Sequence, residues 1–254
     1  MDTQRTVLVT GAASGIGEAT RRRLEQQGCR VIGVDLRDAE IIADLSSASG
    51  RQAMLEAAAV LAADGLDGVV AAAGVAAPEP LTLAVNYFGA VATLEGLRPL
   101  LARSARPRAV AICSTAALLP HDPTAQDACL AGDEPGALAA IGRRADLAYM
   151  TSKRALCLWV RRSAVAARWA GAGILLNGVG PGVVETAMTA PLLADPLMRE
   201  AIAASNPMAV TGFAGPEEIA ELVGFLAGFE GHYLLGQIIF SDGGSDALLR
   251  PDAF

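Results

Sequence analysis

The tightest constraint on this chain is the segment Thr10-Gly11-Ala12-Ala13-Ser14-Gly15-Ile16-Gly17, which joins two stretches of opposite pattern. Thr6–Thr10 is a short apolar run of strand type, and residues 14–27 carry helical spacing. Glycine at such a turn lets the backbone approach a pyrophosphate with no Cβ in the way. The helix start then offers free N–H groups and a positive dipole end to the phosphates. A glycine pattern alone is weak, but here a second strand, residues 29–35, completes the unit and ends on an acid. That acid, Asp35, can accept hydrogen bonds from adenosine ribose hydroxyls and would repel a 2′-phosphate, so NAD is expected rather than NADP. Arg37 either draws such a phosphate or points to solvent. Asp44 either bonds the adenine edge or caps the following turn, with Leu45 beside it. The candidate dinucleotide residues of this half are therefore Gly11, Ser14, Gly15, Ile16, Gly17, Asp35, Asp44 and Leu45.

The same alternation continues along the chain. Residues 51–63, 85–101, 149–169 and 217–227 read as helices, and 68–73, 108–114, 173–179 and 237–241 as strands. This predicts an α/β fold, a Rossmann-type doubly wound parallel sheet with right-handed connections, in a single domain over residues 1–254. Two segments break the rhythm, residues 116–147 and 181 to about 215. In the first, Asp133-Glu134-Pro135 reads as a helix start with Asp133 as cap, and Leu138, Ile141 and Ala145 follow as an apolar stripe. Residues 124–130 read as a second short helix. This insertion is expected to wall the substrate pocket and to shield the neighbouring helices from a second subunit, moving association to the C-terminal region.

Composition removes other classes. With 254 residues, 52% of them hydrophobic, the chain suits one large domain. No run approaches the roughly 20 apolar residues of a membrane span, and residues 1–6 show no signal-peptide pattern. A net charge of −7 argues against nucleic acid, and Arg21, Arg22 and Arg23 read as a solvated helix face. Cys29, Cys113, Cys129 and Cys157 lack zinc spacing and fit a reducing cytoplasm. His121 and His232 lie too far apart in sequence to suggest a histidine-rich metal site or a serine–histidine hydrolase. No metal, nucleic-acid or membrane partner is expected.

Further motifs carry a resemblance. Ala71-Ala72-Ala73-Gly74, Asn86, Ser114, Tyr149-Met150-Thr151-Ser152-Lys153, Asn177-x-Val-x-Pro181-Gly182, Thr186 and Asp242-Gly243-Gly244 follow the glycine fingerprint in order. Together they resemble the short-chain dehydrogenase/reductase family over nearly the whole chain. Residues 31–45, the run Val85 to Gly89, the insertion and the Arg250-Pro251-x-x-Phe254 tail resemble its sub-branch of bacterial 3α-hydroxysteroid dehydrogenase/carbonyl reductases. Two departures stand out. The alanines replace asparagines that commonly brace the central sheet, so other contacts must do so. Ser114 and Tyr149 also lie 35 positions apart, far more than the family usually needs.

The resemblance implies a secondary alcohol–ketone oxidoreductase with Asn86, Ser114, Tyr149 and Lys153 as catalytic residues. The residue chemistry agrees. A free phenol is a poor base at neutral pH, but Lys153 is one helical turn from Tyr149, and its ammonium favours the phenolate, as does a positive nicotinamide. Ser114 can hydrogen-bond the substrate oxygen. By resemblance, Lys153 also holds the nicotinamide ribose, Asn86 helps order a water behind it, and Ala73, Gly74, Pro181, Gly182, Val184 and Thr186 line the cofactor. Ser114, Ala116, Tyr149 and Met188 are the substrate candidates. Residues 183–214 read either as an apolar cover, implying a bulky apolar alcohol or ketone such as a hydroxysteroid, or as an amphipathic helix facing the core. Aryl or terpene alcohols are the alternative substrates. A carrier-protein reductase would need basic residues near Ser14 or Leu36, a methyltransferase would not need Ser114, Tyr149 and Lys153 together, and a nucleotide sensor tends to lose the tyrosine or lysine. A homodimer or homotetramer is expected.

Overall fold

In the computed structural model, which describes residues 4–253, the strands are β1 (Thr6–Thr10), β2 (Arg30–Asp35), β3 (Ile41–Ile42), β4 (Gly68–Ala71), β5 (Arg108–Ile112), β6 (Leu175–Pro181) and β7 (Ile238–Ser241). They pair in parallel in the order β3-β2-β1-β4-β5-β6-β7. The chain moves outward from β1 to β3, then returns to β4 on the other side of β1. The crevice at the carboxyl ends of β1 and β4 is thus the topological switch point, where such sheets bind ligands.

The α-helices are α1 (Gly15–Gln26), α2 (Ala48–Leu61), α3 (Leu81–Leu83), α4 (Ala90–Leu101), α5 (Pro123–Ala131), α6 (Glu134–Ile141), α7 (Ala148–Ala164), α8 (Ala190–Ala194), α9 (Pro196–Ser205), α10 (Pro216–Gly228) and α11 (Ser245–Leu249). A π-helical stretch, Ala84–Gly89, joins α3 to α4. Strand side chains alternate between two cores. Val7, Val9, Val70 and Val110 face α1 and α10, where they meet Ile219 and Val223. Leu8, Val69 and Ala109 face α2, α4 and α7, where they meet Met54, Leu94 and Leu156. Burial on both faces explains why the strands are nearly continuous in apolar residues.

The expected element ends needed correction where side chains intervene. Residues 72 and 73, expected in a strand, donate their N–H groups to Thr10 Oγ1 at 3.0 and 3.1 Å, so β4 stops at Ala71. Ser114, expected as the last strand residue, instead caps a 3-10 turn, Thr115–Leu118. The helix expected to reach Trp169 ends at Ala164, and Trp169 turns inward to pack edge-on against Trp159. The last internal strand lies at Leu175–Pro181, not at 173–179, because Gly173 takes a left-handed turn before it. The two-residue β3 carries too short a pattern to read.

The insertion is folded. Asp122 caps α5 through Ala125 N at 2.8 Å, and Asp133 caps α6 through Gly136 N at 3.0 Å. Ala137 and Ile141 of α6 are fully buried, with Leu138 partly so. Helix α5 packs along α7, and Asp122 N donates to Thr151 Oγ1 at 3.0 Å. Helix α6 packs against α3 and the π-helical stretch. Phe254 of the tail motif, like residues 1–3, lies outside the described residues.

Candidate active site

The glycine loop folds tightly on itself. A Cβ on Gly17 would lie 2.0 Å from Gly11 O, and one on Gly11, where φ is +70°, would lie 2.9 Å from the Ala73 backbone. Only glycine permits both approaches. Ser14 precedes α1 with no side-chain hydrogen bond to the helix, and Gly11, Ser14, Gly15, Ile16 and Gly17 all line one cavity of about 680 Å³. Asp35 forms its far edge. Its Oδ2 accepts from Ala13 N at 3.0 Å and its Oδ1 from Leu36 N at 2.7 Å, which fixes the carboxylate beside the loop. Arg37 points to solvent, 83% exposed, with Asp38 at 3.9 Å.

Asp44 and Leu45 line the same cavity. Asp44 caps the turn that follows it, as one of its two readings had it, and Ser47 then caps α2, accepting from Gly50 N at 3.0 Å. Asp44 Oδ1 accepts from Ser46 N at 2.9 Å, and hydrogen bonds from the Ser46 side chain and backbone hold its carboxyl below the usual range. It therefore stays an anionic acceptor. Across the crevice, Ala73 and Gly74 line the wall. Ala72 and Ala73 are braced by the Thr10 hydroxyl, a role not read from the sequence, although a threonine ending an apolar strand was its visible sign. Asn86 supplies a second brace. Its Oδ1 accepts from Val75 N at 2.8 Å, and its Nδ2 donates to Val75 O at 2.9 Å and Ser152 Oγ at 3.2 Å. This side chain is buried behind Gly74 and does not line the cavity, unlike the other catalytic candidates.

Ser114, Tyr149 and Lys153 bound the cavity together. Ser114 Oγ accepts from Ala116 N at 3.1 Å, which leaves its hydroxyl proton to donate elsewhere. Tyr149 is half-buried in the first turn of α7. Lys153, one turn on and only 5% exposed, holds Nζ 5.8 Å from the centre of the tyrosine ring. That ammonium donates to Ile112 O at 2.8 Å. It has three donors, and this is its one hydrogen bond among the described residues. Cys113 also reaches the wall, but a hydrogen bond with Cys157 and full burial hold its thiol well above the usual range, so it is no nucleophile. No cluster of metal-ligating side chains occurs among the described residues.

Pro181, Gly182, Val184 and Thr186 close the cavity from β6. A Cβ on Gly182 would lie 2.9 Å from Asp242 Cα, so the β6 exit packs directly on the Asp242-Gly243-Gly244 turn. Thr186 Cγ2 lies 3.4 Å from where a Gly15 Cβ would stand. The segment beyond is pinned at both ends, by Glu185 N to Ala214 O at 2.9 Å and Ala209 N to Gly243 O at 2.8 Å. Between these pins α9 has no buried residue, and Met188, Leu192, Leu197 and Met198 are 42–77% exposed. Helix α9 therefore does not face the core, whereas Leu193 of α8 is buried at 8% exposure. Ala116 and Met188 line the cavity as expected, joined by Leu119, Met150, Ile202 and Asn206, which only the folded chain brings there.

The residues fit a dinucleotide. The loop is the cradle a Cβ would fill, the carboxylates of Asp35 and Asp44 line the same cavity, and so does the buried Lys153 ammonium with its one partner. Residues 11–246 match a family model described as enoyl-(acyl carrier protein) reductase. The 3-alpha-hydroxysteroid dehydrogenase/carbonyl reductase of Comamonas testosteroni is 39% identical over 98% of this chain and 99% of its own length. The cis-4-hydroxycyclohexanecarboxylate dehydrogenase of Sinomonas cyclohexanicum is 32% identical over 96% and 98%. Among solved structures, the 3-alpha-hydroxysteroid dehydrogenase of Pseudomonas sp. B-0831 complexed with NADH superposes with a TM-score of 0.92 at 40% identity, covering 98% of this chain and 100% of that one. The Pseudomonas aeruginosa RhlG/NADP complex gives 0.73 at 31% identity, covering 95% and 96%.

Proposed function

The chain belongs to the short-chain dehydrogenase/reductase family, and on that premise we propose an NAD(H)-dependent oxidoreductase that interconverts a secondary alcohol and a ketone on a hydroxysteroid or similarly bulky apolar carbonyl. The observation that carries this reading is the meeting of Ser114, Tyr149 and Lys153 in one cavity with the glycine loop and Asp35. When bound, a nicotinamide cofactor accepts or donates the hydride. In oxidation the Tyr149 oxygen takes the proton of the substrate hydroxyl, and in reduction it returns one to the carbonyl oxygen. The Lys153 ammonium stabilises the phenolate, and the free Ser114 proton holds the substrate oxygen in place. Gly11, Ser14, Gly15, Ile16 and Gly17 would hold the pyrophosphate. Asp35 would hold the adenosine ribose. The apolar cover favours a bulky apolar substrate, as in the steroid-acting relatives. Aryl and terpene alcohols are the rival substrates.

Asp35 makes the cofactor preference testable. A 2′-phosphate beside a fixed carboxylate is repelled, and the relative carrying NADH supports NAD, whereas a more distant one carries NADP. Asp35→Ala is expected to lower kcat/KM for NAD by roughly tenfold and to narrow the gap to NADP, about 1.4 kcal/mol of discrimination. Steady-state kinetics with both cofactors checks this, and a wild type that prefers NADP refutes the role given to Asp35.

Association is expected through the C-terminal region. Helix α5 lies against α7, and α6 against α3 and the π-helical stretch that leads into α4, whereas Phe225, Tyr233, Leu248 and Leu249 are 40–92% exposed. Phe225→Asp should convert a homodimer or homotetramer to a smaller species in sedimentation; an unchanged mass contradicts this placement. Free cysteines, all four buried, fit a reducing compartment such as the cytoplasm. No helix among the described residues is long and apolar enough to cross a membrane.

A further inference from the structure

Arg51 lies in the first turn of α2, the wrong end of a helix for a cation. It is nonetheless 8% exposed, and no acid in that turn offsets it. Its fork reaches across the fold instead. Nη1 and Nη2 donate to Glu134 Oε1 and Oε2 at 3.0 and 2.5 Å, a bidentate pair spanning 83 positions of sequence. Nη1 also reaches Leu45 O at 3.4 Å. Leu45 is 6% exposed and lines the cavity next to Asp44. Its other side is fixed by the π-helical stretch, where a Cβ on Gly89 would stand 3.1 Å from both Leu45 Cβ and Leu45 O. Helix α6, which carries Glu134 at its start, packs on that same stretch. Three elements thus converge on the adenine-side wall, and the insertion supplies the counter-charge that holds them.

We propose that Arg51 is a positioning residue for the adenine half of the cofactor and that Glu134 of the insertion holds it in place, so the insertion sets dinucleotide affinity as well as walling the substrate end. This rests on reading the cavity as a dinucleotide site. Breaking the pair leaves a buried guanidinium without its counter-ion, and it pulls away from Leu45 toward water. The Asp44–Leu45 wall then loosens while Tyr149, Lys153 and Ser114 keep their places.

The test is titration of the full-length protein with NADH and, separately, with AMP as a probe of the adenine half, alongside kcat at saturating NADH. Glu134→Gln keeps size and removes the charge. Arg51→Lys keeps a cation but loses the fork. Both variants are expected to raise the Kd of NADH and of AMP by the same factor, roughly tenfold, with kcat at saturating NADH within about twofold of wild type. If Glu134→Gln does not fold, Arg51→Lys carries the same comparison. Kd values within about twofold of wild type for both ligands overturn the proposal, as does a fall in kcat with Kd unmoved. A wild type that binds neither NADH nor AMP refutes the dinucleotide reading itself.

Discussion

Replacing Tyr149 with phenylalanine is expected to lower kcat by about 10²–10⁴-fold, the usual worth of a positioned proton-transfer group, while NADH binds nearly as before. The substitution deletes one oxygen and keeps the ring, its place in the first turn of α7 and its contact with the Lys153 ammonium. No neighbouring group takes over the proton. Ser114 is too weak an acid, Cys113 is held protonated, and no histidine lines the cavity. Steady-state kinetics with an NADH titration separates the two effects. Turnover near wild type in Tyr149→Phe refutes the proton route, and loss of NADH binding shows the phenol doing a different job.

The second large effect concerns the cradle. Gly17→Ala is expected to weaken NADH binding by about 100-fold or more, some 2.8 kcal/mol. The new Cβ would stand 2.0 Å from Gly11 O, 2.6 Å from Gly11 C and 3.1 Å from Thr10 O. All three are backbone atoms, so no side chain can swing aside. The loop must open, and with it the start of α1 leaves the phosphates. Gly171→Ala is the control: its Cβ would meet only Ala167 Cβ, at 3.7 Å, and affinity should hold. Calorimetric titration of both proteins checks the pair. Tight NADH binding by Gly17→Ala contradicts the loop's assignment.

Those two positions were legible because their signals are local. A glycine turn between strand and helix, and a tyrosine one turn before a lysine, announce themselves within a few residues. The parallel sheet followed from the same short-range alternation. What escaped depends on contacts between distant residues. The hydroxyl of Thr10 ends β4 by capturing the N–H groups of residues 72 and 73, a partnership across 62 and 63 positions. The Asn86 side chain is spent on Val75 and Ser152, so it braces the wall from behind. The cover was ambiguous because exposed apolar residues over a cavity and buried ones over a core share one pattern. The exposure of α9 favours the cover, while the buried Leu193 of α8 anchors the segment. Arg51 read as the plain start of a helix, and its bond to Glu134 needs the insertion to be folded first.

The most direct test follows NADH absorbance while the purified wild type is given NAD or NADP with 3α-hydroxysteroid, aryl and terpene alcohols, and the matching ketones with the reduced cofactors. The account predicts NAD-linked oxidation of a bulky apolar secondary alcohol, reversed with NADH and the ketone, with hydroxysteroids giving the highest kcat/KM. Turnover that is strictly NADP-linked, or none with any alcohol or ketone in the set, contradicts it.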